Sequence, residues 1–492
     1  MGSSALVCEE EGAFSRVPPP PPSSFSGLAG RGDSPLFLLQ LGLGQSREKL
    51  PSPLYPRVCQ TVHGIGACRP GGGWEWLLDR PRVRSRGDQE ICRSCHSGSP
   101  ACHLSSPRNP WPGSQSLVLL GGEIRRAKLQ FAKLPLPLPL ATTPSFPVTG
   151  GSISNMYAVN LARYQRYPDC KQRGLRALPP LALFTSKECH YSIKKGAAFL
   201  GLGTDSVRVV KADERGKMIP EDLERQISLA KAEGAVPFLV SATSGTTVLG
   251  AFDPLEAIAD VCQHHGLWLH VDAAWGGSVL LSQTHRHLLA GIQRADSVAW
   301  NPHKLLSTGL QCSALLLRDT SNLLKRCHGS QASYLFQQDK FYDVALDTGD
   351  KVVQCGRRVD CLKLWLMWKA QGEQGLQRRV DQAFALARYL VEELKKREGF
   401  ELVMEPEFVN VCFWFVPPSL RGKKGSPDYS ERLSKVAPIL KERMVRKGSM
   451  MIGYQPHGTR SNFFRMVVAN PALTRADMDF LLNELERLGQ DL

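Results

Sequence analysis

No stretch of the 492 residues strings together the ~18 apolar positions of a membrane-spanning helix, so no membrane partner is expected. The N-terminus lacks a basic region followed by an apolar one. Glu9, Glu10 and Glu11 stand ahead of the prolines Pro18 to Pro22, so no secretory signal peptide is expected. The fourteen cysteines follow no even framework. That excludes a disulfide-stapled scaffold and points to reduced thiols in a cytoplasmic protein. Net charge is +15, yet no compact Lys/Arg block with interleaved aromatics appears, so nucleic acid is not an expected partner. The apolar share of 42% and charged share of 22% are those of an ordinary globular chain.

The chain changes character near residue 149. Residues 1–148 hold twenty of the 34 prolines and show no sustained period. The Leu-Pro alternation from Leu134 to Leu140 favours extended, polyproline-like chain. Such a stretch buries too little apolar surface to offset its ordering entropy, so it is expected to be disordered. Two motifs inside it invite over-reading. Cys92-Arg93-Ser94-Cys95-His96 with Cys102-His103 has zinc-like or haem-like spacing, but no hairpin signal supports a four-ligand site, and no metal is expected. Gly30-Arg31-Gly32-Asp33 is a short match of the kind that recurs by chance.

From Thr149 onward the pattern is α/β. Leu181 to Thr185, Phe238 to Ala242, Leu267 to Val271, Ser297 to Trp300 and Ala314 to Leu317 read as strands, with helical stretches such as Leu255 to His265 between several of them. This predicts a mostly parallel central sheet with helices on both faces. After residue 363, Leu376, Val380, Phe384, Ala387, Val391 and Leu394 recur at helical spacing. Val409 to Val416 and Phe463 to Val468 read as strands, and a last helix runs from about Ala476 to Leu488 with Thr474 as its N-cap. The expected organisation is a low-complexity segment at 1–148, a large α/β domain at 149–363 and a small C-terminal α+β domain at 364–492.

Each candidate polar motif follows a strand-like run, where ligand sites of parallel sheets form. Asn301-Pro302-His303-Lys304 lies downstream of His270-Val271-Asp272-Ala273-Ala274-Trp275-Gly276-Gly277. Pro302 fixes φ and stiffens the turn that carries Lys304. Its apolar neighbours lower the pKa of a lysine held among them and make it more nucleophilic. Asp272 closes an apolar run, where a carboxylate needs a partner, and a protonated pyridine nitrogen is a suitable one. Together they fit pyridoxal 5'-phosphate, with Lys304 forming the Schiff base and Asp272 keeping the ring nitrogen protonated. His190, in His190-Tyr191-Ser192, is placed to stack on the ring. Gly150 to Asn155 precede a helical stretch and offer free N–H groups to a phosphate. Thr246, in Ser244-Gly245-Thr246-Thr247, is placed to donate to the cofactor.

These motifs, HYS at 190–192, TSGTT at 243–247, HVDAAWGG at 270–277 and NPHK at 301–304, carry a resemblance. Residues 150–492 resemble group II pyridoxal-phosphate decarboxylases of the fold-type-I superfamily. DAAWGG and HYS point to the branch acting on acidic amino acids. The resemblance implies that Lys304 bears the cofactor, Asp272 pairs with its ring nitrogen, His190 stacks on it and Thr246 bonds near its substituents. It implies that Ser154, Asn301 and His303 hold the phosphate, that Tyr334 reprotonates the carbanion and that Arg465 grips the substrate's α-carboxylate. It further implies a homodimer and a small acidic amino acid as substrate. Cysteine sulfinate is favoured, giving hypotaurine and CO2 on the path to taurine. Glutamate and aspartate are the alternatives, as is an impaired isoform acting only as a dimerisation partner. The family's own N-terminal region, which supplies part of the substrate pocket, is not recognisable in residues 1–148.

Overall fold

The computed structural model describes residues 146–148 and 150–492, apart from 320, 342–343, 345–348, 355 and 357–359. Residues 1–145 lie outside the described part, and with them the expectation of disorder and both over-readable motifs.

A seven-stranded sheet has the order β1-β7-β6-β5-β4-β2-β3. Its strands are β1 (Phe146–Val148), β2 (Leu181–Ser186), β3 (Val207–Val210), β4 (Val236–Thr243), β5 (Trp268–Ala273), β6 (Ser297–Trp300) and β7 (Ser313–Leu317). β3, β2, β4, β5 and β6 run parallel, while β7 is antiparallel to both β6 and β1. The expected mostly parallel sheet is therefore present. β1 lies within the segment expected to be disordered, so the ordered fold starts at least three residues before the expected boundary.

The central strands are short continuous apolar runs because both faces are covered. Leu183 and Leu239 point into a core shared with α1 (Gly151–Arg166) and α2 (Ser192–Phe199). The next residues, Phe184 and Val240, point into the opposite core, with α3 (Pro220–Ala232) and α4 (Leu255–His265). Each such fully buried Leu or Phe contributes about 1.5–3 kcal/mol. α4 occupies the expected residues and ends at Gly266, which takes the left-handed φ of 62° and returns its N–H to Cys262.

α5 (Asp360–Lys396) begins before the expected periodic stretch and is broken at Gly372, where φ is 65°. Leu376, Val380, Phe384, Ala387, Val391 and Leu394 are all buried on it. The expected domain boundary at 363–364 falls inside its first turn. Beyond it, β8 (Phe400–Leu402), β9 (Asn410–Phe415), β10 (Gly453–His457) and β11 (Arg460–Val467) form a four-stranded antiparallel sheet of order β10-β11-β9-β8. α6 (Tyr429–Lys447) and α7 (Arg475–Gly489) complete this part. Thr474 caps α7 as expected, in a reciprocal box with Asp477. Phe413, Phe464 and Leu482 of this region share one continuous core with Phe184 and Val271 of the large sheet.

A cavity opens at each end of the large sheet's strands. One of about 350 Å³, at the carboxyl edge, gathers the polar motifs. A second of about 350 Å³, at the amino edge, is lined by Arg166, Phe238, Trp268, Asp296, Arg318 and Asp319 among others.

Candidate active site

The carboxyl-edge cavity is assembled by topology. β2 delivers His190 and Tyr191, β4 delivers Thr243, Gly245 and Thr247, β5 delivers Asp272, Ala274 and Trp275, and the turn after β6 delivers Asn301, His303 and Lys304. Gly150, Gly151, Ser152 and Asn155 close it from the start of α1. This helix approaches closely: a Cβ on Gly151 would lie 2.8 Å from Asn301 Nδ2, so that buried side chain would have to shift.

The Lys304 N–H bonds back to the Asn301 carbonyl at 2.9 Å, fixing the turn. Its ammonium lies 4.9 Å from the centre of the Trp275 ring. Burial lowers its pKa below the usual lysine value; the Asp272 carboxylate opposes that shift and the Arg465 guanidinium adds to it. This lysine therefore yields the neutral, nucleophilic amine more readily than a surface lysine.

Asp272 is 6% exposed. Asn155 Nδ2 donates to its Oδ2 at 2.7 Å and the Ala274 N–H to its Oδ1 at 3.1 Å. Asn155 Nδ2 also donates to Ser192 Oγ at 2.9 Å, and Ser192 Oγ lies 2.8 Å from His190 Nδ1. On the other side, Asn155 Oδ1 lies 2.9 Å from His270 Nε2, and His270 Nδ1 lies 2.8 Å from Ser297 Oγ. Trp268 Nε1 donates to that same hydroxyl at 2.9 Å. Burial pulls the His270 pKa down to about 4, against the pull of Asp272. His190, half-buried, is likewise lowered by burial and partly restored by Asp272.

The remaining expected residues divide. Asn301 and His303 line the cavity, with His303 Nδ1 against the backbone of Cys312. Ser154 is fully buried, does not line the cavity and directs its hydroxyl to the Gly150 carbonyl; Ser152 takes the wall position. Thr246 is also buried and accepts from the Ala251 N–H at 3.0 Å, while its neighbours Gly245 and Thr247 line the cavity. Arg465 is tied to the wall through the Thr247 carbonyl, with its Nε unpartnered. Tyr334 is 77% exposed and does not line the cavity. Sequence reasoning assigned no role to Asn155, although a buried Asn on the apolar face of a helix is a usable signal.

The donor set fits pyridoxal 5'-phosphate. Thr243 Oγ1, Ser244 Oγ and Asn301 Oδ1 are buried without a hydrogen-bond partner, at or beside the cavity wall, and such groups call for a polar occupant. The start of α1 supplies unpaired N–H groups for an anion. Among the described residues one trio has metal-ligand chemistry, Glu224 with His264 and His265. None of the three lines the cavity, and His265 is already bridged between Lys231 and Glu224.

Comparison with known proteins agrees with this chemistry. Residues 134–416 match the pyridoxal-dependent decarboxylase conserved domain, a span that starts ahead of the expected residue 150. Over 343 residues the chain is 92% identical to human (Homo sapiens) cysteine sulfinic acid decarboxylase, covering 70% of each chain. It is 65% identical over 343 residues to the acidic amino acid decarboxylase GADL1 of Xenopus tropicalis, covering 70% of this chain and 67% of that one. The crystal structure of mouse CSAD superposes with a TM-score of 0.72 at 82% identity, over 77% of each chain. With a desolvated lysine, a buried carboxylate and a helix N-terminus gathered at one sheet edge, and with these relatives, the chain belongs to the pyridoxal-dependent decarboxylase family.

Proposed function

We propose that this protein decarboxylates cysteine sulfinate, releasing CO2 and hypotaurine, with pyridoxal 5'-phosphate held in the carboxyl-edge cavity. The observation that carries the reading is the placement of desolvated Lys304 and twice hydrogen-bonded Asp272 on one cavity wall. The choice of substrate is supported by identities of 91–92% to three mammalian cysteine sulfinic acid decarboxylases.

Lys304 would bind the cofactor covalently through Nζ, its neutral form favoured by burial. The Asp272 carboxylate would accept the ring N–H and hold that proton in place. The first N–H groups of α1, with Ser152, Asn301 and His303, would hold the phosphate. His190 would wall one face of the ring. When bound, the cofactor supplies an electron-poor ring that takes up the electron pair left on the α-carbon as CO2 departs. Arg465, joined to the Thr247 wall and without a carboxylate partner among the described residues, would bind the substrate's α-carboxylate and orient the bond to be broken. Lys304, inside the cavity, would return a proton to the α-carbon; Tyr334, the expected donor, is exposed in this conformation.

A homodimer is part of the proposal. Tyr334, Phe341, Val353 and Leu366 leave large apolar side chains exposed within one stretch of chain, the mark of a surface that meets a partner. A cytoplasmic setting is also proposed: no disulfide joins the described cysteines, as suits a reducing compartment.

The test is CO2 release by the purified full chain, loaded with cofactor, from cysteine sulfinate, glutamate and aspartate. Turnover highest with cysteine sulfinate is expected. A cofactor-loaded chain that turns over none of the three, or that transfers its amino group to a keto acid instead, overturns the reading.

A further inference from the structure

The hydrogen bonds around Asp272 have only one consistent direction. Trp268 Nε1 is a donor and nothing else, and it points at Ser297 Oγ from 2.9 Å. Ser297 Oγ also lies 2.8 Å from His270 Nδ1. The Asp272 carboxylate can only accept, so Asn155 turns Nδ2 toward it and Oδ1 toward His270, whose Nε2 must then carry the proton donated at 2.9 Å. His270 is neutral in this burial, so its Nδ1 accepts the Ser297 hydrogen. Both Asn155 N–H groups face away from His270, one to Asp272 Oδ2 at 2.7 Å and one to Ser192 Oγ at 2.9 Å. Ser192, having accepted, donates to His190 Nδ1 at 2.8 Å, which leaves the His190 proton on Nε2. Ser297, His270, Asn155 and Ser192 are at most 1% exposed, so no water competes for these bonds.

We propose that His270 and Asn155 are positioning residues. Through the donor chain Trp268–Ser297–His270–Asn155 they lock the Asp272 carboxylate in the rotamer that meets the cofactor ring. The chemistry favours neutral supports over charged ones. A cationic partner at Oδ2 would neutralise Asp272 and compete with a protonated ring nitrogen. A neutral amide fixes the carboxylate and leaves its negative charge for the ring. Without His270 the Asn155 oxygen loses its donor, and only the two N–H bonds hold the amide against the carboxylate. The inference rests on the reading of the cavity as the cofactor site.

The experiment compares the full chain with His270→Phe, His270→Gln, Ser297→Ala and Ser297→Thr. It measures pyridoxal 5'-phosphate affinity by titration into cofactor-free protein, the visible absorbance of the bound cofactor, and thermal midpoints without cofactor. His270→Phe is expected to weaken cofactor affinity at least tenfold and to shift the absorbance band, since the ring nitrogen loses its fixed acceptor. His270→Gln, which keeps an N–H donor, is expected to recover most of that loss. Ser297→Ala is expected to weaken affinity two- to fivefold and Ser297→Thr to restore it. A merely structural role would lower the cofactor-free thermal midpoint and leave the spectrum and the affinity unchanged, and that result overturns the proposal. So does an equal loss in the Phe and Gln variants. Wild-type chain that takes up no cofactor at all overturns the cavity reading along with it. Wild type that binds, beside variants that bind equally well, overturns only this inference.

Discussion

At the scale of single residues, Lys304 and Asp272 make separable claims. Lys304→Ala is expected to abolish covalent cofactor attachment, because no other lysine among the described residues lines the cavity. Borohydride reduction and peptide mapping check it, and a phosphopyridoxyl label on another lysine of the wild type would refute the assignment. Asp272→Asn keeps the shape and removes the charge. At saturating cofactor the variant is expected to be loaded, with turnover reduced at least ~10²-fold, equivalent to about 3 kcal/mol of barrier; steady-state decarboxylation measures it, and near-normal turnover would release Asp272 from its role. His270 carries a pH signature of its own. Its folded pKa of about 4 lies below the ordinary histidine value of 6.5. Between these values the unfolded chain binds the proton and the folded one does not, so this group's contribution to stability falls as pH falls from 6.5 to 4, by on the order of 3 kcal/mol. Asp253 acts in the opposite sense. Burial raises its carboxyl to about 7, so the folded chain holds a proton that the unfolded chain has released, and its contribution falls as pH rises from about 4 to 7. The two slopes offset each other in the wild type. Replacing His270 with Phe leaves the Asp253 slope unopposed, so the variant should compare better with wild type near pH 4.5 than near pH 7. Thermal midpoints across that range test the sign.

Secondary-structure elements were legible where burial imposes a simple pattern. β2, β4, β5, β6 and β7 are continuous apolar runs because helices cover both faces of their sheet, and α4 and α7 announce themselves by period and caps. β3 is four residues long with Arg208 in it, too short to register an alternation. α6 carries Pro438 in its interior, which interrupts the reading of a helix that tertiary packing nevertheless maintains. The site was legible to the level of the segment and not always of the residue. Ser152 and Ser154 stand two positions apart on α1, and such residues face different sides of a helix. The sequence marks the segment but does not say which serine faces the cavity. Thr246 and Thr247 divide in the same way at the end of β4. Asn155 escaped because its worth lies in partners 37 to 117 residues away along the chain. The capping box of α7 makes a prediction of element size. Thr474→Ala removes the acceptor for the Asp477 N–H and should cost ~1 kcal/mol of stability. Denaturant midpoints would show it, with decarboxylation and cofactor affinity unchanged.

For the molecule as a whole, every residue that lines the cavity lies between Gly150 and Gln311, and Arg465 approaches from β11. A chain shortened to begin at residue 134, where the family match starts, retains β1 and all of these. Its cofactor affinity is expected to match that of the full chain within about threefold by the same titration. A loss beyond tenfold would mean that the preceding residues take part in building the site. Trp268 offers a second test at this scale, since it stands on the wall of the amino-edge cavity and not of the active one. Trp268→Phe keeps the bulk and removes the N–H, so the Ser297 hydroxyl loses the donor that fills one of its lone pairs and helps fix its rotamer. A two- to threefold weaker cofactor affinity is expected, and an unchanged value would show that Ser297 holds its orientation without help. The placement of Trp268 gives the sheet a role besides support. Its indole N–H and the Asp272 carboxylate sit near opposite ends of β5, joined by four hydrogen bonds through Ser297, His270 and Asn155. These four bonds link the far rim of the sheet to the Asp272 carboxylate with no strand having to move, and the Trp268→Phe affinity measures how far that link carries.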